Sequence, residues 1–122
     1  MEALGSVTKA AALSVLDASW LQQKVLASNI ANQGTPGYEA LTVDFRSFLA
    51  ELEGAVSSAG SADDRKSAID AIGARVVSTG KQVELDSQAA ELAKNSLQYQ
   101  AVLTSLMRLQ SLNRIAVSGG AA

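Results

Sequence analysis

Cysteine and histidine are both missing from the 122 residues of this chain, and aromatic residues supply only 4% of them. Without cysteine the chain can form neither a disulfide nor a thiolate metal site. Without histidine it lacks the commonest metal ligand and general base. The sequence also contains no glycine-rich loop that could cradle a nucleotide. We therefore expect no catalytic, cofactor-binding or metal-binding residues.

A surplus of positive charge is missing as well, because ten Lys and Arg residues stand against twelve Asp and Glu. Nucleic-acid binding depends on clustered basic residues, so the sequence predicts no nucleic-acid partner. Lys9, Asp17 and Lys24 interrupt the apolar N-terminal region, which argues against a membrane span of about 20 apolar residues. The same region lacks the pattern of a secretory signal. We expect a protein that stays in the cytoplasm or is exported by a dedicated apparatus.

Two pairs of acidic residues, Glu51/Glu53 and Asp63/Asp64, are candidates for acid–base or metal chemistry. Such chemistry requires a desolvated cleft or several oxygen ligands in fixed positions. Both pairs flank the small, polar stretch 55–62, which can bury little surface and is predicted to be a flexible loop. We therefore interpret these carboxylates as solvated loop residues.

Proline occurs once, and it marks the end of the first predicted helix. Between Val7 and Asn32 apolar residues recur at spacings of three, four and seven, which predicts a helix of roughly 25 residues. Its apolar face comprises Leu13, Leu16, Trp20, Ala27 and Ile30. Pro36 fixes its own φ and Gly37 can adopt a positive φ, so Thr35–Tyr38 suits a type II turn. The helix is therefore expected to end before this turn.

A second long helix is predicted from Asp86, a favourable N-cap, to Val117. One side of it repeats at alternating spacings of four and three, as in a coiled-coil seam. That seam comprises Leu85, Ala89, Leu92, Ser96, Tyr99, Leu103, Leu106, Gln110 and Asn113. Gly119 and Gly120 are predicted to end the helix. Between the two helices, residues 69–77 are compatible with either helix or strand.

The predicted fold class is all-α, with the two long terminal helices paired as an antiparallel coiled coil and a weakly structured middle segment. The N-terminal helix and turn occupy residues 1–46, a variable flexible middle 47–82, and the C-terminal helix 83–122; the first and last form one helical domain. Helix packing is assigned to Leu13, Leu16, Trp20, Leu92, Tyr99, Leu103 and Leu106. A lone helix pair leaves apolar surface on its outer side, so partners are expected.

Three polar or aromatic residues of the first helix allow two interpretations each. Asn29 and Asn32 lie one helical turn apart, so they can hydrogen-bond across a helix or subunit interface and fix its register. Alternatively, they satisfy carbonyl groups at the helix end near Gly34. Trp20 can pack in the core or anchor a contact between subunits.

The segment from Leu26 to Ala40 resembles the N-terminal signature of flagellar axial proteins, the family of rod and hook subunits. The matching residues are Asn29, Ile30, Ala31, Asn32, Thr35, Pro36, Gly37 and Tyr38. Within that family, the short chain and the C-terminal string from Glu91 to Gly120 look most like the proximal-rod type.

This resemblance implies a structural subunit of the bacterial flagellar basal-body rod, exported by the flagellar type III apparatus and polymerising into the drive shaft in the periplasm. It implies copies of itself, other rod proteins, membrane-ring and rod-adaptor proteins and the export apparatus as partners, and no cofactor. Two alternatives stay open: another rod subunit such as that of the middle rod, and a cytoplasmic coiled-coil adaptor or secretion chaperone. None of these is an enzyme.

Overall fold

The computed structural model describes residues 2–121, with side chains described for residues 5–119. The chain forms helix α1 (Glu2–Ala31), strand β1 (Glu39–Val43), helices α2 (Phe45–Ser57) and α3 (Ala62–Asp70), strand β2 (Val76–Gln82) and helix α4 (Leu85–Ala121). The two long terminal helices confirm the mostly helical prediction. The all-α prediction holds in part, because the chain also contains a small two-stranded sheet, and the middle segment predicted at 47–82 includes most of α2, all of α3 and strand β2.

Helix α1 is the element on which the other parts of the chain pack, with α4 on one side and β1, α2 and α3 on another. A hydrophobic cluster on the second side is formed by Val7, Ala10, Ala18, Phe48, Leu52, Ala55 and Ile69. Because α1 is covered on two sides, its buried residues do not follow one stripe. Leu16 of the predicted apolar face is buried, whereas Leu13 is 43% exposed and Trp20 is 54% exposed. These last two residues therefore lie at the surface of the subunit.

Two short helices of the middle segment begin at side-chain caps. The Asp44 carboxylate caps α2 by accepting from the backbone N–H of Ser47 (3.2 Å) and from its hydroxyl (2.7 Å). Ser61 and Asp64 form a reciprocal capping box at the start of α3, each side chain accepting from the other's backbone N–H. These caps leave only residues 58–61 outside the two helices, so the loop predicted at 55–62 is shorter than expected.

Strands β1 and β2 form an antiparallel two-stranded sheet, in which Leu41 faces Ser78 and Val43 faces Val76. The backbone N–H of Asp44 extends the pairing by donating to the carbonyl of Arg75 at 2.9 Å. Every residue of β2 is exposed. The undecided stretch 69–77 therefore divides into the end of α3, a short connection and the start of β2.

The turn after α1 has the geometry expected from Pro36 and Gly37. The backbone N–H of Tyr38 donates to the carbonyl of Thr35 at 3.2 Å, and Gly37 has a φ of 75°. A type II turn requires a positive φ at its third residue and often has this hydrogen bond. The predicted turn is confirmed.

Helix α4 spans 37 residues and begins at Leu85, one residue before the predicted cap. It continues through Gly119 and Gly120 to Ala121, so these glycines do not end it as predicted. The positions facing α1 alternate at four and three: Gln88, Leu92, Asn95, Tyr99, Val102, Leu106 and Leu109. No helix within residues 2–121 combines the length and the apolar character of a membrane span.

The seam of α4 is rotated relative to the prediction. Leu92, Tyr99 and Leu106 belong to both, but Asn95 is buried at 5% exposure, and Leu103 is 37% exposed. The seam predicted from hydrophobic spacing was misplaced because two layers of the actual seam, at Gln88 and Asn95, are polar and hydrogen-bonded.

Candidate functional site

Acidic residues do not assemble into a reaction centre in the part of the chain that the structure describes, where no group of three or more potential metal ligands occurs. Asp64 belongs to the cap of α3, and the Glu51 carboxylate lies 3.7 Å from the Arg75 guanidinium. Asp64 and Glu51 therefore take part in local structure.

Asn29 is the centre of a buried polar junction. Its side chain has no exposed surface. Its Nδ2 donates to the carbonyl oxygen of Leu41 (2.8 Å) and to Oε1 of Gln88 (2.8 Å). Its Oδ1 accepts from the backbone N–H of Leu41 (2.9 Å) and from the Tyr38 hydroxyl (3.1 Å). Because an amide has two donor and two acceptor positions, Asn29 is fully satisfied while joining α1 to the turn, to β1 and to α4.

Asn32 has a different role, although it lies only three residues further along the chain, just past the end of α1. Its Nδ2 donates to the carbonyl of Ser28 at 2.8 Å, and its Oδ1 accepts from the Thr35 hydroxyl at 3.1 Å. These bonds close the end of the helix and the start of the turn. The interface interpretation thus describes Asn29, and the helix-end interpretation describes Asn32. Among the other motif residues, Ile30 is half-buried, and Ala31, Pro36 and Gly37 are exposed.

Gln22 is a second buried amide on α1, with 7% exposure. Its Oε1 accepts from the backbone N–H of Val43 at 2.8 Å, and its Nε2 donates to the Thr42 hydroxyl at 3.2 Å. Gln22 precedes Asn29 by two helical turns, so both side chains face β1. Both amides therefore attach strand β1 to α1 through its backbone.

A polar layer also lies within the contact between α1 and α4. Asn95 donates to the carbonyl of Ser19 (2.9 Å) and to Oε1 of Gln23 (2.8 Å). Gln23 in turn donates to the hydroxyl of Ser96 at 2.9 Å. A buried Asn in a helix interface fixes register, because other alignments leave its polar atoms unpaired. Asn95 therefore sets the alignment of α4 on α1.

The aromatic contact between α1 and α4 lies at the edge of this interface. The rings of Trp20 and Tyr99 have centroids 6.4 Å apart and are tilted by 52°. Trp20 thus packs on one face only and presents the rest of its surface to solvent.

Sequence reasoning missed Gln22, Gln23, Gln88 and Asn95. A signal was available, since Gln22 and Asn29 are seven residues apart, as are Gln88 and Asn95. A spacing of seven returns a residue to the same side of a helix. Amides repeated at this spacing within apolar helices indicate polar layers in an interface.

Asp44 has a lowered pKa, and the cause is local. Hydrogen bonds from the Ser47 hydroxyl and backbone N–H stabilise the carboxylate and hold the pKa of Asp44 below its ordinary value. This is the behaviour of a helix cap. The shift supports a structural role for the group.

Two helices aligned by buried amides, with a small sheet and helical hairpin packed beside them, define the chain as a helical structural protein. Comparison with known proteins specifies the family. The chain is 35% identical over 103 residues to the flagellar basal body rod protein FlgB of Salmonella typhimurium, covering 70% of this chain and 74% of that protein. It is 27% identical over 109 residues to FlgB of Bacillus subtilis, covering 81% and 84%. No protein-family model matches it.

The chain belongs to the FlgB family of flagellar basal body rod proteins. It is a structural subunit of the basal-body rod and not an enzyme, which confirms both predictions. Its location in the flagellar basal body is confirmed on the same grounds.

Proposed function

We propose that this subunit is exported by the flagellar type III apparatus and polymerises into the proximal rod, the first part of the flagellar drive shaft. In this proposal α1 and α4 pair as an antiparallel coiled coil, and neighbouring subunits cover the apolar surface that the pair leaves open. The observation that carries the proposal is the exposed apolar surface of α4.

The order of contacts along the two helices supports antiparallel pairing. Asn29 bonds Gln88, Gln23 bonds Ser96, and the Trp20 ring lies against Tyr99. Nearer the start of α1, Thr8 and Leu106 line one groove. Residue numbers thus fall along α1 as they rise along α4.

Apolar side chains on the outer sides of α4 support polymerisation. The most exposed are Leu97 (67%), Met107 (60%), Leu112 (64%), Ile115 (65%) and Val117 (58%). Several exposed large apolar side chains on one helix indicate a surface that a partner can cover. Burial of apolar area contributes roughly 25 cal/mol per Å², so covering this helix favours association.

A groove between the N-terminal part of α1 and the C-terminal part of α4 supports the same proposal. It has a volume of about 370 Å³ and is lined by residues that include Gly5, Lys9, Leu109, Leu112 and Ala116. The two helices therefore leave space between them where neighbouring side chains can insert. Contacts between two different surfaces of identical subunits generate open helical arrays when the rotation does not close.

The proposed partners are copies of this chain, other rod proteins, and the membrane-ring and rod-adaptor proteins that meet the proximal rod. The export apparatus is a transient partner before folding. The alternative of a cytoplasmic adaptor or chaperone predicts a discrete dimer that is never exported. We expect a marginally stable isolated subunit, because part of its apolar surface is covered only on assembly.

Deletion of the gene tests the rod assignment. We expect loss of rod assembly and of motility, restored by the wild-type gene on a plasmid. Immunodetection in detergent-extracted basal bodies should find the chain there, and blocking type III export should retain it in the cytoplasm. A deletion strain that swims normally would refute the assignment, and a cytoplasmic dimer in exporting cells would favour the adaptor.

A further inference from the structure

Strand β1 pairs with β2 along one edge, and its other edge faces α1. In an antiparallel ladder, alternate residues direct their N–H and C=O groups to opposite edges. Ala40 and Asp44 direct theirs towards β2, where they bond the Thr79 hydroxyl and the Arg75 carbonyl. Leu41 and Val43 therefore direct theirs away from β2. A strand edge of this kind must be closed, because its unpaired polar groups are a template for another chain.

Three of the four backbone groups that Leu41 and Val43 direct to that edge are bonded by side chains of α1. Asn29 bonds both the N–H and the C=O of Leu41, and Gln22 accepts from the N–H of Val43. We propose that Gln22 and Asn29 form a main-chain recognition site on α1 that takes the position of a third strand. Its ligand is an extended peptide segment, and β1 of the same chain occupies it.

The geometry of α1 fits this ligand. Gln22 and Asn29 are separated by about 10 Å along the helix, whereas Leu41 and Val43 are separated by about 7 Å along the strand. The flexible side chain of Gln22 spans the difference. A side-chain amide carries both donors and acceptors, as the backbone of a strand residue does, whereas a carboxylate lacks the donors. Gln22 and Asn29 make one hydrogen bond to a side chain of β1, in which Nε2 of Gln22 donates to the Thr42 hydroxyl at 3.2 Å.

Helix α4 completes the site through Gln88. The second N–H of Asn29 donates to Oε1 of Gln88, which fixes the amide with its oxygen towards the Leu41 N–H. Gln88 is thus a positioning residue for strand binding. Docking of the sheet on α1 is thereby coupled to docking of α4.

Residue-specific amide hydrogen exchange of the isolated full-length chain tests the site, under conditions where amides in the middle of α1 are protected. In Asn29→Ala we expect exchange of the Leu41 amide to accelerate about tenfold, as for the loss of one hydrogen bond. In Gln22→Ala the same acceleration should appear at Val43. Gln88→Ala should accelerate Leu41 exchange by a smaller factor.

Gln23→Ala is the matched control, because Gln23 is the adjacent amide on α1 and bonds Asn95 and Ser96 instead of β1. It should leave both strand amides unchanged. Asn29→Asp keeps the shape and the acceptor but removes both donors, and it should weaken strand binding as well. Protection of Leu41 that persists in Asn29→Ala, or an equal loss of Leu41 protection in Gln23→Ala, would overturn the proposal. So would unprotected strand amides in the wild-type chain. Because the test needs no rod, its failure is distinct from a failure of the proposed assembly.

Discussion

The two halves of α4 differ in how they meet α1. Residues 85–102 are aligned through hydrogen bonds that join Gln88, Asn95 and Ser96 to buried or half-buried amides of α1. Among the side chains that the structure describes, those of residues 103–119 form no such bond to α1; this half borders an open groove and exposes Leu112, Ile115 and Val117. The difference indicates a division of roles. One half is fixed within the subunit, and the other presents apolar surface to its neighbours.

Asn29→Ala should give the largest loss of stability, because it removes a side chain that satisfies Leu41, Tyr38 and Gln88 at a fully buried position. We expect a loss of about 3 kcal/mol in the free energy of unfolding, since each buried group left unpaired costs about 1–3 kcal/mol. Urea unfolding measures it. Asn32→Ala, at the helix end, is the control and should cost less than about 1 kcal/mol. Equal losses of stability in the two variants would contradict the role assigned to Asn29 in the buried polar junction.

Asn95→Ala should have the next largest effect. It deletes two donated bonds, to Ser19 and Gln23, but leaves fewer groups without a partner than Asn29→Ala. The expected loss is about 2 kcal/mol in urea unfolding. Gln98→Ala, an exposed position on the same helix, should change stability by less than about 0.5 kcal/mol. If the two substitutions had the same effect, Asn95 would not align the helices.

Asp44 should give a smaller, pH-dependent effect. Its pKa is lowered in the folded chain by the bonds from Ser47, so its contribution is fully present above the ordinary carboxyl pKa and is lost as the pH falls through the lowered value. Asp44→Asn keeps a capping oxygen without the charge. Thermal unfolding between neutral and acidic pH should therefore show a shallower pH dependence for this variant. Parallel curves would contradict the assigned cause.

Ile115→Gln should affect folding least, because 65% of the residue is already exposed. We expect a change within about 0.5 kcal/mol in unfolding, together with reduced incorporation into basal bodies. Leu106→Gln is the comparison in the same half of α4, since Leu106 is buried against α1 and its loss should reduce both stability and incorporation. Full incorporation of Ile115→Gln would remove that residue from the proposed contact surface.

Much of the long-helix architecture could be predicted from the sequence. Periodicity indicated both terminal helices, and Pro36 with Gly37 specified the turn. The orientation of each helix could not be predicted from hydrophobicity, because α1 is covered on two sides and the α4 seam contains Gln88 and Asn95. Leu13 and Leu103 were placed in interfaces for this reason, although both are exposed.

The middle segment was harder to predict because its elements are short and depend on contacts that are distant in sequence. The capping box from Ser61 to Asp64 was a readable local signal for α3. The sheet had no local signal, since β1 pairs with a strand more than 30 residues away and is held by Gln22 and Asn29 of α1. Both amides belong to a helix, so a search for strands would not consider them.

The loop 58–61 lies at the tip of the α2–α3 hairpin, and every one of its residues is exposed. No hydrogen bond described for these residues reaches α1 or α4; those of Ser58 and Ser61 are local to the hairpin. Exposed loop tips with small residues accept inserted peptides more readily than other positions do. An epitope placed between Ser58 and Ala59 would therefore leave both the aligned and the open half of α4 intact. An epitope at the tip of the α2–α3 hairpin would allow copies of the subunit to be counted and located in an assembled basal body.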